Sequence, residues 1–180
     1  MKKTVLLIAF LFWICEPIFA QGTMLLREPS VSETHIVFVH ANELWVVDRD
    51  GGEARRLTAS EGAESSPKIS PDGNWVAFTG QYDGGTDVFI VPIEGGEPQR
   101  LTWHPGADIV QDWSPDGDYV IFMSGRDGYP TVNTKFYKVS VNGGMPEALP
   151  VPFGFVGSVS PDGTKMAYQP YRFWDPEWRN

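Results

Sequence analysis

One tetrapeptide restricts the folds open to this chain more than any other feature. Ser-Pro-Asp-Gly stands at Ser70–Gly73, Ser114–Gly117 and Ser160–Gly163, at spacings of 44 and 46 residues. Gly-Gly keeps the same ruler at Gly51-Gly52, Gly95-Gly96 and Gly143-Gly144, and Leu57-Thr58 and Leu101-Thr102 follow it, with Leu149-Pro150 in third place. Three markers with one period define a repeat. The turn chemistry says what the repeat is made of: proline presets the first turn position, aspartate accepts backbone hydrogen bonds, and glycine takes the positive φ that closes the turn. Asp50-Gly51-Gly52 and Glu94-Gly95-Gly96 are hairpin signals of the same kind.

The segments between these turns are β-branched and aromatic, as in Trp75-Val76-Ala77-Phe78, Tyr119-Val120-Ile121-Phe122 and Met166-Ala167-Tyr168. One unit reads as strands at 66–70, 75–79, 87–93 and 98–102. Apolar and polar residues alternate imperfectly, which suits strands buried on both faces between stacked sheets. The expectation is an all-β chain of four-stranded antiparallel units, and a period of this length with four strands is that of a β-propeller blade; a flat sandwich is the alternative. Blade 1 is expected at about 24–58, blade 2 at about 66–102, blade 3 at about 110–150 and the start of a fourth at about 156–180. That is an incomplete ring, since propellers close with about four to eight blades. Assembly of several copies into one ring is the rival reading.

The first unit is degenerate. Aligned without a gap, Pro29–Val39 falls on Ile69–Thr79, with Val31-Ser32-Glu33 in place of Pro-Asp-Gly. Its first hairpin is four residues shorter, His40–Glu43 standing for Gly80–Asp87, and that of the third unit is four longer, from Gly125 through Tyr129 to Lys135. Insertions collect in one loop, where repeat proteins vary their binding face.

Residues 1–20 read as a secretory signal: Lys2 and Lys3, then an apolar run from Val5 to Cys15 too short for a membrane span, then cleavage after Ala20. The mature part, 21–180, is expected to be periplasmic or secreted, without a stable membrane anchor. The single cysteine, Cys15, lies in the removed segment. A net charge of -9 argues against nucleic acid as a partner.

No catalytic constellation is visible. The histidines are His35, His40 and His104, no Gly-x-Ser-x-Gly elbow occurs, and no metal-ligand spacing or cofactor motif is present. Asp48-Arg49-Asp50 sits in a hairpin turn rather than a calcium loop. The residues singled out as candidates for ligand-facing loops are Trp103, His104, Asp108, Trp113 and Tyr129. The two tryptophans flank an inter-blade loop, and Tyr129 stands in the longest hairpin loop.

The repeat over about Met24–Gln169 resembles the propeller repeats of the TolB and tricorn protease group, in which Ser-Pro-Asp-Gly, an apolar strand, an Asp-Gly loop, Gly-Gly and Leu-Thr follow one another. Ile36-Val37-Phe38-Val39 with Glu43-Leu44-Trp45-Val46 at the start, and Phe173-Trp174-Asp175-Pro176-Glu177-Trp178-Arg179-Asn180 at the end, are similar to the amino-terminal end of tricorn-type proteases. The resemblance implies a parent protein with one or two propellers, a PDZ domain and a serine peptidase domain, its propellers filtering or guiding peptides. No catalytic residue of that group maps onto this chain. Two alternatives remain: a non-enzymatic TolB-like module that binds proteins of the cell envelope, and a propeller leading into a prolyl-oligopeptidase-type domain.

Overall fold

The computed structural model describes residues 26–127 and 133–170; the expected export signal and Tyr129 lie outside them. Every described element is a strand. The first sheet holds β1 (Arg27–Val31), β2 (His35–His40), β3 (Glu43–Asp48) and β4 (Arg55–Arg56). The second holds β5 (Glu64–Ile69), β6 (Trp75–Gly80), β7 (Asp87–Pro92) and β8 (Gln99–Arg100). The third holds β9 (Asp108–Trp113), β10 (Tyr119–Ser124), β11 (Lys135–Ser140) and β12 (Glu147–Ala148), and the fourth the pair β13 (Gly154–Val159) and β14 (Met166–Pro170). Each sheet is an antiparallel meander in chain order, and none is closed. The expected architecture of four-stranded blades in an unclosed series is therefore present.

The Ser-Pro-Asp-Gly turns hold the first two strands of a sheet together through side chains. Ser70 Oγ accepts from the Trp75 amide at 2.9 Å and donates to Asp72 Oδ1 at 2.5 Å, while that same oxygen accepts from the Asn74 amide at 3.1 Å. Ser114 with Asp116 and Ser160 with Asp162 repeat the arrangement. Gly73 closes the turn at φ +78°, which a Cβ would strain.

The ungapped alignment of the first unit needs correction. Val31 pairs with Ile36, where Ile69 pairs with Val76, so Ser32 occupies the place of Ser70. The turn has lost two residues: the Ser32 amide reaches the His35 carbonyl at 2.9 Å, whereas the Ser70 amide reaches that of Trp75. Ser32 Oγ still accepts from the His35 amide at 2.9 Å. The turn shortens and its serine is kept.

Alternate residues of the second sheet enter two separate cores. Val76, Phe78, Phe89 and Val91 pack with Val37, Val39, Leu44 and Val46 of the first sheet. Ala77, Val88 and Ile90 pack with Val110, Trp113, Val120 and Phe122 of the third. Burial on both faces explains the imperfect alternation in the sequence. The first strands of successive sheets, β1, β5, β9 and β13, lie side by side. Side chains stitch them: the Ile69 amide donates to Ser30 Oγ at 3.0 Å, and the Gly157 amide to Gln111 Oε1 at 2.9 Å. Each first strand carries a β-bulge, and Glu28, Ser66 and Val156 occupy positive φ there.

Candidate functional site

At the end of the sheets opposite the Ser-Pro-Asp-Gly turns lie the hairpin loops of variable length and the links between sheets. Matched residues one repeat apart build this end. Glu64 and Asp108 open β5 and β9 and are both buried. Glu64 accepts from the Leu44 amide at 2.9 Å and from the hydroxyls of Thr58 and Tyr82. Burial, then the hydrogen bond to Glu64, raises the Tyr82 phenol above its usual range. One repeat later Arg126 stands in place of Tyr82 and pairs with Asp108 at 2.7 Å. Its guanidinium lies 5.2 Å from the Phe122 ring and 4.9 Å from that of Tyr137, an apolar bed that removes the pair from water.

Strand openings show the same matching. Asp87 at the start of β7 is buried and pairs with Arg100 at 2.6 Å, as Glu43 at the start of β3 pairs with Arg56 at 3.2 Å. Burial pushes the Asp87 carboxyl up; Arg100 opposes this, and the nearby Asp108 adds to it. The Leu-Thr marker acquires a physical meaning here. Leu57 and Leu101 enter the cores, while Thr58 Oγ1 accepts from the Leu44 amide at 3.1 Å and Thr102 Oγ1 from the Val88 amide at 3.0 Å.

Above this buried layer the link from the second to the third sheet forms a surface. Trp103 is 63% exposed, with the Arg100 guanidinium 5.7 Å from its ring. His104 folds the link by accepting from the Gly106 amide on Nδ1 at 2.9 Å. Beside it runs a groove of ≈ 520 Å³ lined by His104, Pro105, Ile109, Met123, Arg126 and Thr134 among others. These residues offer an imidazole, a guanidinium and apolar walls.

Of the residues singled out in the sequence, Trp103 and His104 are on this surface and His104 lines the groove. Asp108 is buried beneath the surface and pairs with Arg126 through Oδ2. Trp113 is buried in the seam between the second and third sheets, its indole Nε1 donating to the Lys68 carbonyl at 2.8 Å. Sequence reasoning passed over Arg126, Arg100 and Met123. Arg100 carried a signal, since Arg56 and Arg100 recur on the ruler, as do Glu43 and Asp87; Arg126 did not, because Tyr82 holds its place one repeat earlier. Among the described residues no group of three or more His, Cys, Asp or Glu side chains is placed to hold a metal ion.

Known proteins are similar to parts of this chain. Tricorn protease homolog 1 of Streptomyces coelicolor is 36% identical over 63 residues, 35% of this chain and 6% of that protein. The Tol-Pal system protein TolB of Desulfosudis oleivorans is 32% identical over 65 residues, 34% of this chain and 15% of that protein. The chain thus spans a small fraction of the length of these relatives. The crystal structure of the tricorn protease superposes with a TM-score of 0.67 at 23% identity, over 77% of this chain and 14% of that one, a likeness of fold. Residues 23–180 match the family described as the tricorn protease N-terminal beta propeller domain, and the chain belongs to that family.

Proposed function

We propose that this chain is the amino-terminal propeller portion of an exported tricorn-like serine peptidase, and that its blades guide or gate peptides towards a catalytic domain elsewhere in the parent protein. The observation that carries the reading is the family match over residues 23–180. The exposed Trp103 and the groove beside His104 supply a peptide-contact surface at the variable end. Further propeller blades, a PDZ domain and a peptidase domain of the same parent chain are its expected partners. Two measurements test this. Reading the gene past the codon for Asn180 is expected to run into those domains, and a stop codon there in intact genomic DNA would sink the proposal. In the full-length protein, Trp103→Ala is expected to slow cleavage of long peptides while sparing a short chromogenic one; equal effects on both would remove the guiding role.

The second reading, a TolB-like protein-binding propeller of the cell envelope, draws on the 32% identity over 65 residues. A pull-down from periplasmic extract that returns intact envelope proteins, from a chain without peptidase activity at full length, would favour it.

A further inference from the structure

At the Ser-Pro-Asp-Gly end, the seam between the second and third sheets opens into a groove of ≈ 720 Å³. Trp75, Ile90, Trp113 and Val141 contribute apolar lining, and Asp72, Asp116 and Asp118 contribute carboxylates. No lysine, arginine or histidine is among its lining residues. Trp75 is 38% exposed, while Trp113 is buried. The Ser70 hydroxyl holds Asp72 below the usual carboxylate range and the Ser114 hydroxyl does the same for Asp116, so both are charged at neutral pH.

The next seam repeats this groove with a different filling. Its lining places Tyr119 where Trp75 stands, Lys138 where Ile90 stands and Thr164 where Asp118 stands, and Lys165 is added. The strand registers support the match, since Ile121 pairs with Lys138 as Ala77 pairs with Ile90. There the Lys138 ammonium lies 4.4 Å from the Tyr119 ring centroid and 3.2 Å from Glu147. One seam carries its own cation over the aromatic ring. In the other the ring is a better cation acceptor, the carboxylates are more numerous, and isoleucine replaces the lysine.

We propose that the groove between the second and third sheets binds an extended polypeptide segment bearing lysine or arginine, whose cation sits over Trp75 as Lys138 sits over Tyr119. The volume exceeds the need of one side chain, so neighbouring residues of the segment rest on Ile90, Pro71 and Pro115. This site lies at the opposite end of the sheets from the groove beside His104 and does not depend on a peptidase in the parent protein.

The test is fluorescence anisotropy on the full chain with a short fluorescein-labelled peptide alternating alanine and lysine, and with its glutamine counterpart. Trp75→Gln and Asp118→Lys alter exposed positions, and circular dichroism checks that each variant keeps its fold. Glu53→Lys, in the hairpin turn of the first sheet, changes net charge by the same amount as Asp118→Lys and serves as the control for attraction by overall charge. The lysine peptide is expected to bind wild type and Glu53→Lys alike and the other two variants about tenfold more weakly, with the glutamine peptide unbound. Failure of the wild type to bind, equal binding to Asp118→Lys and Glu53→Lys, or equal binding of the glutamine peptide would overturn the proposal.

Discussion

Asp162 shows how much a single turn residue is asked to do. It accepts from Ser160, from the Thr164 amide and from the Thr164 hydroxyl, and the Ser160 hydrogen bond is the chief reason its carboxyl falls from 3.8 to about 2. A carboxyl depressed in the folded state adds stability above its unfolded value, and that contribution disappears as pH falls through the folded one. The turns are therefore expected to weaken between roughly pH 4 and 2. A carboxyl NMR titration of Asp162 should place its midpoint near 2; a midpoint at the ordinary value would mean that the serine contact is not maintained in solution. The buried pair sets a larger stake. Removing one partner of a buried ion pair strands the other, so Arg126→Ala should cost about 3–5 kcal/mol in urea unfolding. A loss below about 1 kcal/mol would place Asp108 in water rather than beneath the loop. The turn chemistry was legible because it is local: serine, proline, aspartate and glycine act within four residues. Asp108 was not, because an aspartate beside an exposed tryptophan reads as part of one loop. In fact the chain passes at Asp108 from link to strand, and the strand points that side chain inward.

At the level of strands, the seams are made by close approach. Gly157 on β13 illustrates the tolerance: a Cβ there would stand 2.8 Å from the Phe136 ring and 2.3 Å from the Met166 methyl. Gly157→Ala should therefore lower stability by about 1–3 kcal/mol through overpacking. A thermal melt that does not move would show that the fourth sheet docks more loosely than its hydrogen bonds to Gln111 and Asp112 indicate. Strand existence and order followed from the repeat, whereas the shortened first turn did not. Without Pro-Asp-Gly, only pairing partners reveal that Ser32 inherits the role of Ser70. The bulges were equally hidden, since Glu28, Ser66 and Val156 share a backbone conformation and no side-chain type.

At the scale of the molecule, the described residues of each sheet contact chiefly the sheets next to it in the chain, so stability is a sum of seams. The second sheet is covered on both faces, and the fourth comprises, among the described residues, two strands of which β14 is largely exposed. Hydrogen exchange should be slowest in β6 and β7 and fastest in β14. Uniform protection along the chain would contradict this nearest-neighbour picture. Similar repeats joined in tandem also face a hazard of their own, which is stacking in the wrong order. The first seam is bridged by the Ile69 amide on Ser30 Oγ, the second by the Trp113 indole on the Lys68 carbonyl and the third by the Val159 amide on Asp112. If sheets exchanged places, the Trp113 indole would lose its carbonyl or the Asp112 carboxylate its amide. The seams thus act as keys cut differently for each lock, and the substitutions that blur the repeat are what give every blade its own address.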